Sequence, residues 1–229
     1  MLKALIKQIL PESWTSTLSR VYRERLSLEF TFSKIFAKNG FGGVESVSGE
    51  GSSMLQTNVV REVLPKLVEE YKVNTFLDVP CGDLNWMQRV EFHADCRYIG
   101  GDIVPALIES NQEKFGSERR SFQQINLAST SLPKADMLFC RDCLVHLSFD
   151  YIHQVLANVK RSDIVYLVTT TFPNITINED IVSGEWRCLN LSLPPFNFPE
   201  PLALILEECP EAGFEEKCLG IWKISEIKR

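Results

Sequence analysis

Asn74-Thr75-Phe76-Leu77-Asp78-Val79-Pro80-Cys81-Gly82-Asp83-Leu84-Asn85-Trp86 is the stretch that decides the fold. Its apolar first half predicts a short buried strand at about 75–79, which ends in an acid and a tight turn around Gly82. A helix is expected to follow from about 84 to 91. In an α/β protein, the carboxyl end of a strand and the start of the next helix meet here and build a nucleotide pocket.

A second acid ends the next strand-like run. The run 97–102 predicts another strand, and its last residue, Asp102, follows Asp78 by 24 residues. This spacing is close to the roughly 20 residues at which a carboxylate reaches a ribose hydroxyl. The two acids together predict a cofactor that contains adenosine.

Strands and helices alternate from residue 75 onward. The run 164–171 is apolar on both faces, which is typical of a central parallel strand. Two runs at 202–207 and 217–224 predict an antiparallel pair at the sheet edge. The fold class is therefore α/β, a doubly wound and mostly parallel sheet. Its other strands are predicted at about 97–101, 121–125 and 135–140, and its helices at about 105–115 and 149–159.

Composition limits the possible partners. The chain has 229 residues, of which 45% are hydrophobic, so one sizeable core is expected. The net charge of −6 argues against a nucleic-acid-binding surface. Residues 1–40, however, carry seven basic and three acidic side chains. This stretch predicts a helical arm that packs on its own domain, contacts a membrane surface, or forms a homodimer arm.

A loop rich in glycine and serine, residues 45–53, separates this arm from the α/β region. Its glycines allow main-chain N–H groups to approach a ligand closely, so the loop is either a lid or a flexible linker. The domain boundaries follow: residues 1–56 form the arm and the loop, and residues 57–229 form the cofactor-binding domain.

The seven cysteines are odd in number and scattered, which is typical of reduced, buried thiols in a cytoplasmic protein. Cys140 and Cys143 form a lone Cys-x-x-Cys without a second metal-spaced pair, so no metal is expected and a redox dithiol is the weaker alternative. No apolar run reaches the ~18 residues needed to span a bilayer. No targeting segment is apparent, which also favours the cytoplasm.

These motifs resemble the class I S-adenosylmethionine-dependent methyltransferases over about residues 57–225. The resemblance implies that the turn after strand one cradles the methionine part of the cofactor and that the acid after strand two holds the ribose. Residues after strand three would contact the adenine, and the last strand of a seven-stranded sheet would be reversed. The predicted cofactor-binding residues are Asp78, Pro80, Cys81, Gly82, Asp83, Trp86, Asp102, Ile103, Asn126, Leu127 and Arg141.

The turn departs from the usual pattern of three glycines, because Pro80 and Leu84 take two of those positions. A nicotinamide-dependent oxidoreductase is the main alternative, but its Gly-x-Gly-x-x-Gly motif is absent, and Asp83 would repel a pyrophosphate. A sulfonium carries positive charge, which suits an acidic turn. Trp86 either walls the cofactor or fills the core.

The candidate catalytic residues follow strand four, which should lie beside strand one. Asp142 and His146 are four residues apart and would share one face of a helix. An alcohol acceptor needs a proton acceptor, so His146 is the predicted general base and Asp142 orients it. Arg141 contacts the cofactor carboxylate or the substrate, or else forms a salt bridge.

The long loop at 172–201 is rich in proline, asparagine and aromatic residues, and Trp186, Arg187 and Asn190 in it would suit a sugar ring. Family members with a similar turn look associated with surface-sugar decoration. The prediction is O-methylation of a glycan or another small-molecule hydroxyl. Methyl transfer to nitrogen or carbon, and a non-catalytic cofactor-binding regulatory module, remain open.

Overall fold

The computed structural model describes residues 26–228. It contains one sheet of seven strands, in the order β3-β2-β1-β4-β5-β7-β6. The strands are β1 (Thr75–Asp78), β2 (Arg97–Asp102), β3 (Arg120–Gln124), β4 (Met137–Cys140), β5 (Tyr166–Thr171), β6 (Ala203–Leu206) and β7 (Cys218–Lys223). The helices are α1 (Leu28–Ala37), α2 (Asn58–Glu70), α3 (Pro105–Phe115) and α4 (Phe149–Lys160).

Strand directions confirm the predicted fold class. Strands β1 to β5 pair in parallel, β7 runs antiparallel to β5, and β6 runs antiparallel to β7. The chain order reverses at β1, which lies between β2 and β4. A crevice forms outside the carboxyl ends of the strands at such a switch point, and ligands bind in it.

Two apolar cores cover the two faces of the sheet. Leu77 and Leu138 belong to one core, whereas Phe76, Met137 and Phe139 belong to the other. Because side chains alternate along a strand, a strand that is buried on both sides must be apolar throughout. This requirement explains why β4 is apolar throughout and why both Phe76 and Leu77 of β1 are apolar.

The predicted helix at 84–91 is wrong. The chain forms only a single 3₁₀ turn there, Met87–Arg89. Gly82 and Leu84 both have φ of +57°, in the left-handed region. Two left-handed residues around Asp83 prevent a right-handed helix from starting at the turn.

The described residues begin just before α1. The side chain of Ser27 caps this helix by accepting a hydrogen bond from the Phe30 N–H at 3.2 Å. Residues 1–25 lie outside the described residues, so the membrane contact and homodimer arm predicted for residues 1–40 stay predictions. Within residues 26–228, no helix is both long and apolar enough to cross a bilayer.

All seven cysteines fall within the described residues and are free thiols. Five are buried, and only Cys143 and Cys188 are partly exposed. A hydrogen bond with Cys140, together with burial, raises the pKa of Cys143 above its usual range. The thiol therefore stays protonated and makes a poor redox nucleophile.

Candidate active site

A cleft lies at the carboxyl ends of β1, β2 and β4, with about 1140 Å³ of empty space. Helix α1 forms one wall of the cleft with the side chains of Leu28, Phe32 and Phe36. All of the site residues predicted from the sequence line this cleft: Asp78, Pro80, Cys81, Gly82, Asp83, Trp86, Asp102, Ile103, Asn126, Leu127, Arg141, Asp142 and His146.

Gly82 makes the floor of the cleft possible. Its φ of +57° favours glycine, and a Cβ at this position would overlap the Ser48 hydroxyl. The Gly82 N–H donates to Asp102 Oδ2 at 3.1 Å, and Asn111 Nδ2 donates to the Gly82 carbonyl at 2.7 Å. The turn is therefore held from β2 and from α3.

Two of the acids that line the cleft, Asp78 and Asp102, are buried and have raised pKa values. Burial raises the pKa of Asp78 to about 7, against the hydrogen bond that its carboxylate accepts from the Tyr98 hydroxyl at 2.6 Å. Burial likewise raises the pKa of Asp102 to about 6, although the N–H groups of Val104 and Gly82 donate to it. A positively charged or hydroxyl-bearing ligand would stabilise their ionised forms.

Residues 44–53, which we call the cleft segment, lie against the glycine turn. The carboxylate of Asp83 accepts from the Ser46 hydroxyl at 2.8 Å and from the Val47 N–H at 3.0 Å. Asn85 Nδ2 donates to the Ser52 carbonyl at 3.0 Å. The sequence predicts that Asp83 binds the cofactor. In this structure its carboxylate accepts hydrogen bonds from the cleft segment and holds the segment against the turn.

A buried cluster of four charges lies at the end of β4. Arg141 donates to Glu207 through Nε at 3.0 Å and Nη2 at 2.6 Å, and Lys217 Nζ lies 2.6 Å from Asp142 Oδ2. Burial opposes the charge of Asp142, but Arg141 and Lys217 outweigh burial and hold the pKa of Asp142 well below its usual range. Glu207 and Lys217 come from the hairpin of β6 and β7, so the hairpin fixes the floor of the site.

Arg141 is thus a buried ion-pair residue and not a surface one. Its Nη1 also donates to the Gly51 carbonyl at 2.7 Å, and its guanidinium lies 5.7 Å from the ring centroid of Trp86. Because these partners occupy its donors, the guanidinium positions the cleft segment and Trp86. Trp86 itself is 8% exposed and serves both as core and as a cleft wall.

His146 lies on a 3₁₀ turn, Leu144–His146, and not on the helix that was expected. Its Nδ1 lies 2.9 Å from the Glu185 carbonyl, and its ring stacks at a tilt on Phe41 with 4.7 Å between centroids. A carbonyl can only accept, so Nδ1 carries the proton and Nε2 has a free lone pair. Burial lowers the pKa of His146 below 6.5, which keeps the ring neutral at pH 7.

Asp142 does not orient His146 through a hydrogen bond among the described residues. Its carboxylate bonds to Lys217 and accepts from the Thr170 hydroxyl at 3.2 Å, while Glu185 orients the imidazole. The prediction failed because it assumed a helix, whereas Asp142 has φ of +51°. Asp142 still acts on His146 through space, since its charge favours the imidazolium.

Two loop residues predicted to contact a sugar are internal. The guanidinium of Arg187 donates to the carbonyls of Leu144 and Leu147, both at 2.8 Å. The Asn190 amide donates to two loop carbonyls at 2.9 Å. These side chains hold the turn of His146 and the long loop, whereas Trp186 is 44% exposed.

Sequence reasoning missed several residues that shape the site. Phe32 and Phe36 follow the i, i+4 spacing of one helix face, which was a usable signal. Asn111 is the polar member of the buried face of α3, beside Leu107 and Ile108, and this too could have been noticed. Ser48 lies in the loop 45–53 that was named as a candidate lid, whereas no local pattern identified Lys217.

The described residues form no cluster of metal ligands. Across residues 26–228, no group of three or more His, Cys, Asp or Glu side chains is arranged to hold a metal ion.

Comparisons with known proteins agree with this geometry. Residues 77–162 match the profile of a methyltransferase domain family. Human N-acetylserotonin methyltransferase, solved with SAM, superposes with a TM-score of 0.59 at 12% identity, over 92% of this chain and 66% of its own. Magnesium protoporphyrin IX methyltransferase from Synechocystis PCC 6803, with bound SAM, gives 0.55 at 13% identity, over 86% and 97%. No curated protein matches the chain in sequence.

The fold is therefore that of the class I methyltransferases. The methyltransferase domain matched at residues 77–162 makes the chain an S-adenosylmethionine-dependent methyltransferase, and the fold agrees. The cleft fits this cofactor on its own evidence. Its glycine turn lines the cleft beside the buried acids Asp78 and Asp102, which suit ribose hydroxyls and a cationic sulfonium.

Proposed function

We propose that this enzyme methylates a hydroxyl oxygen of a glycan or other small molecule, with His146 as the general base. The observation that carries the proposal is the state of His146. It lines the cofactor cleft, its Nδ1 is committed to the Glu185 carbonyl, and its Nε2 has a free lone pair. A neutral imidazole in this state is able to accept a proton at pH 7.

The cofactor supplies an electrophilic methyl group on a sulfonium. Asp102 would hold the ribose hydroxyls, Asn126 and Leu127 would contact the adenine, and the Gly82 turn would take the methionine part. Methyl transfer from this cofactor would break its carbon–sulfur bond and release S-adenosylhomocysteine, while His146 Nε2 would take the proton of the acceptor hydroxyl. The negative charge of Asp142 then stabilises the imidazolium, as its effect on the pKa of His146 implies.

Positioning supplies much of the rate in a transfer of this kind. The His146 turn is fixed by the guanidinium of Arg187, and the Asp142 carboxylate is fixed by Lys217. We therefore expect the base and its nearby charge to stay in place during turnover. The exposed ring of Trp186 supports a sugar acceptor, because an aromatic face packs well on a sugar ring.

The experiment is methyl transfer to a pool of sugar and phenolic acceptors, followed through S-adenosylhomocysteine formation. His146→Ala and His146→Gln should lose about 10²- to 10⁴-fold in rate while they bind S-adenosylhomocysteine as the wild type does. His153→Ala, in α4, is the matched control. Nearly full activity in His146→Ala would favour transfer to nitrogen or carbon, where a base is less needed. Cofactor binding without consumption by any acceptor would favour a regulatory module.

We also propose that the enzyme works in the cytoplasm. The support is its cysteine usage, since seven free and mostly buried thiols suit a reducing compartment.

A further inference from the structure

A second cavity, with about 1110 Å³ of empty space, adjoins the cofactor cleft. Four residues line both spaces: Phe41, Ser48, Asp142 and His146. The imidazole of His146 therefore stands at the junction between the two. A molecule in the second cavity would meet both the base and the donor side of the cleft.

One wall of this cavity is aromatic. The rings of Trp186 and Phe214 meet edge to face at 4.9 Å between centroids, and Phe172 meets Trp186 at 6.1 Å. Trp186 keeps 44% of its surface exposed. A partly exposed aromatic cluster in a cavity offers a face for a ring and a favourable place for a cation.

The charges around the cavity are one-sided. Lys217 is the one lysine or arginine among the described lining residues, and Asp142 at 2.6 Å and Glu207 at 3.5 Å already neutralise it. Two further acids, Glu50 and Glu211, add negative charge to the described lining. The cavity is therefore formally negative, which attracts cations and repels anions.

We propose that this cavity is the acceptor site and that it takes a ring-bearing acceptor with an amine, such as an amino sugar, in preference to one with a carboxylate or a phosphate. The assignment rests on the proposed function. The ring packs on the Trp186 cluster, the ammonium faces Glu50 and Glu211, and the reacting hydroxyl points to His146. Among the described lining residues, an acidic sugar would lack a free basic partner, because Lys217 is held by Asp142 and Glu207.

The test uses three phenyl glycosides with the same ring and aglycone: a glucosaminide, a glucoside and a glucuronide. Their binding to protein saturated with S-adenosylhomocysteine is titrated by ligand-observed NMR. The glucosaminide should bind at least about 10-fold more tightly than the glucuronide, with the neutral glucoside between them. The preference should shrink as ionic strength rises.

Single substitutions test which residues of the cavity cause the preference for the glucosaminide. Glu211→Gln should reduce the ratio of glucosaminide to glucuronide affinity about 3-fold, whereas Glu216→Gln, an exposed glutamate that does not line the cavity, should leave it unchanged. Trp186→Ala should weaken all three glycosides. Equal or tighter binding of the glucuronide, no binding of any glycoside, or no change in Glu211→Gln would overturn the assignment.

The readout separates this inference from the proposed function. If the glycosides bind in the expected order but His146→Ala keeps its activity, the acceptor site stands and the role of His146 falls. If His146→Ala is inactive and the glycosides do not discriminate by charge, the acceptor class is wrong and the base assignment stands.

Discussion

Replacing Asp83 with alanine should release the cleft segment from the cofactor turn. Two hydrogen bonds from the segment, from Ser46 at 2.8 Å and Val47 at 3.0 Å, end on this carboxylate. A hydrogen bond to a charged group contributes about 1.5–3 kcal/mol. Asp83 is only partly buried, so we take roughly 1 kcal/mol for each bond, about 2 kcal/mol in total.

A loss of about 2 kcal/mol shifts the closing equilibrium of the segment about 30-fold towards the open form. Two contacts remain, Asn85 to the Ser52 carbonyl and Arg141 to the Gly51 carbonyl, so the segment stays tethered at its far end. If closure is needed for tight binding, the apparent affinity falls with the closed fraction. We expect the Kd of S-adenosylhomocysteine to rise about 10-fold or more in Asp83→Ala.

Calorimetry with S-adenosylhomocysteine measures this effect, and hydrogen exchange at the Val47 amide reports the segment directly. Ser46→Ala removes one of the two bonds and should show a smaller rise in Kd. Asp95→Ala, an exposed acid away from the cleft, is the control for charge. A folded Asp83→Ala with a Kd within about 2-fold of the wild type and unchanged Val47 protection would refute the reasoning.

Three further changes test the cleft. Asp102→Ala should weaken S-adenosylhomocysteine about 10-fold or more by calorimetry. In the wild type, affinity should rise with pH through about 6, because the raised pKa keeps this acid partly protonated below that pH and the ionised form accepts the ribose hydroxyls; a flat profile would contradict this. Arg141→Ala leaves the charge of Glu207 buried and should cost about 3–5 kcal/mol, a fall in Tm of very roughly 6–20 °C by calorimetric scanning; an unchanged Tm would exclude a structural ion pair. Asn111→Ala removes the donor to the Gly82 carbonyl and should cost about 1–2 kcal/mol in urea unfolding and several-fold in cofactor affinity; equal values for both proteins would show that the turn does not need it.

The predictions from the sequence were most accurate where the chemistry of a residue and the local sequence pattern indicated the same structure. Helix α3 was predicted from Pro105 to about Phe115, as observed, because Pro105 fits the first turn of a helix. The acids Asp78 and Asp102 were found because each ends an apolar run, and both line the cleft. The adjacency of β1 and β4 followed from topology alone.

The failures have a common physical origin in backbone conformation and long-range pairing. The left-handed φ of Leu84 prevents the helix expected at 84–91. The left-handed φ of Asp142 likewise prevents Asp142 and His146 from lying on one face of a helix. Non-glycine residues in that region are uncommon, so nothing in the local sequence announces them. The partner of Asp142, Lys217, lies 75 residues away, just before β7, beyond any local pattern.

Because its thiols are mostly buried, this enzyme can be labelled for spectroscopy at a single introduced cysteine. Five cysteines are buried and two are partly covered, so a maleimide reagent meets little competition at the surface. Val44, in the cleft segment, is 94% exposed. A single Val44→Cys substitution would carry a spin label or a fluorophore on the natural cysteine background, and its signal would show whether the segment moves when the cofactor binds.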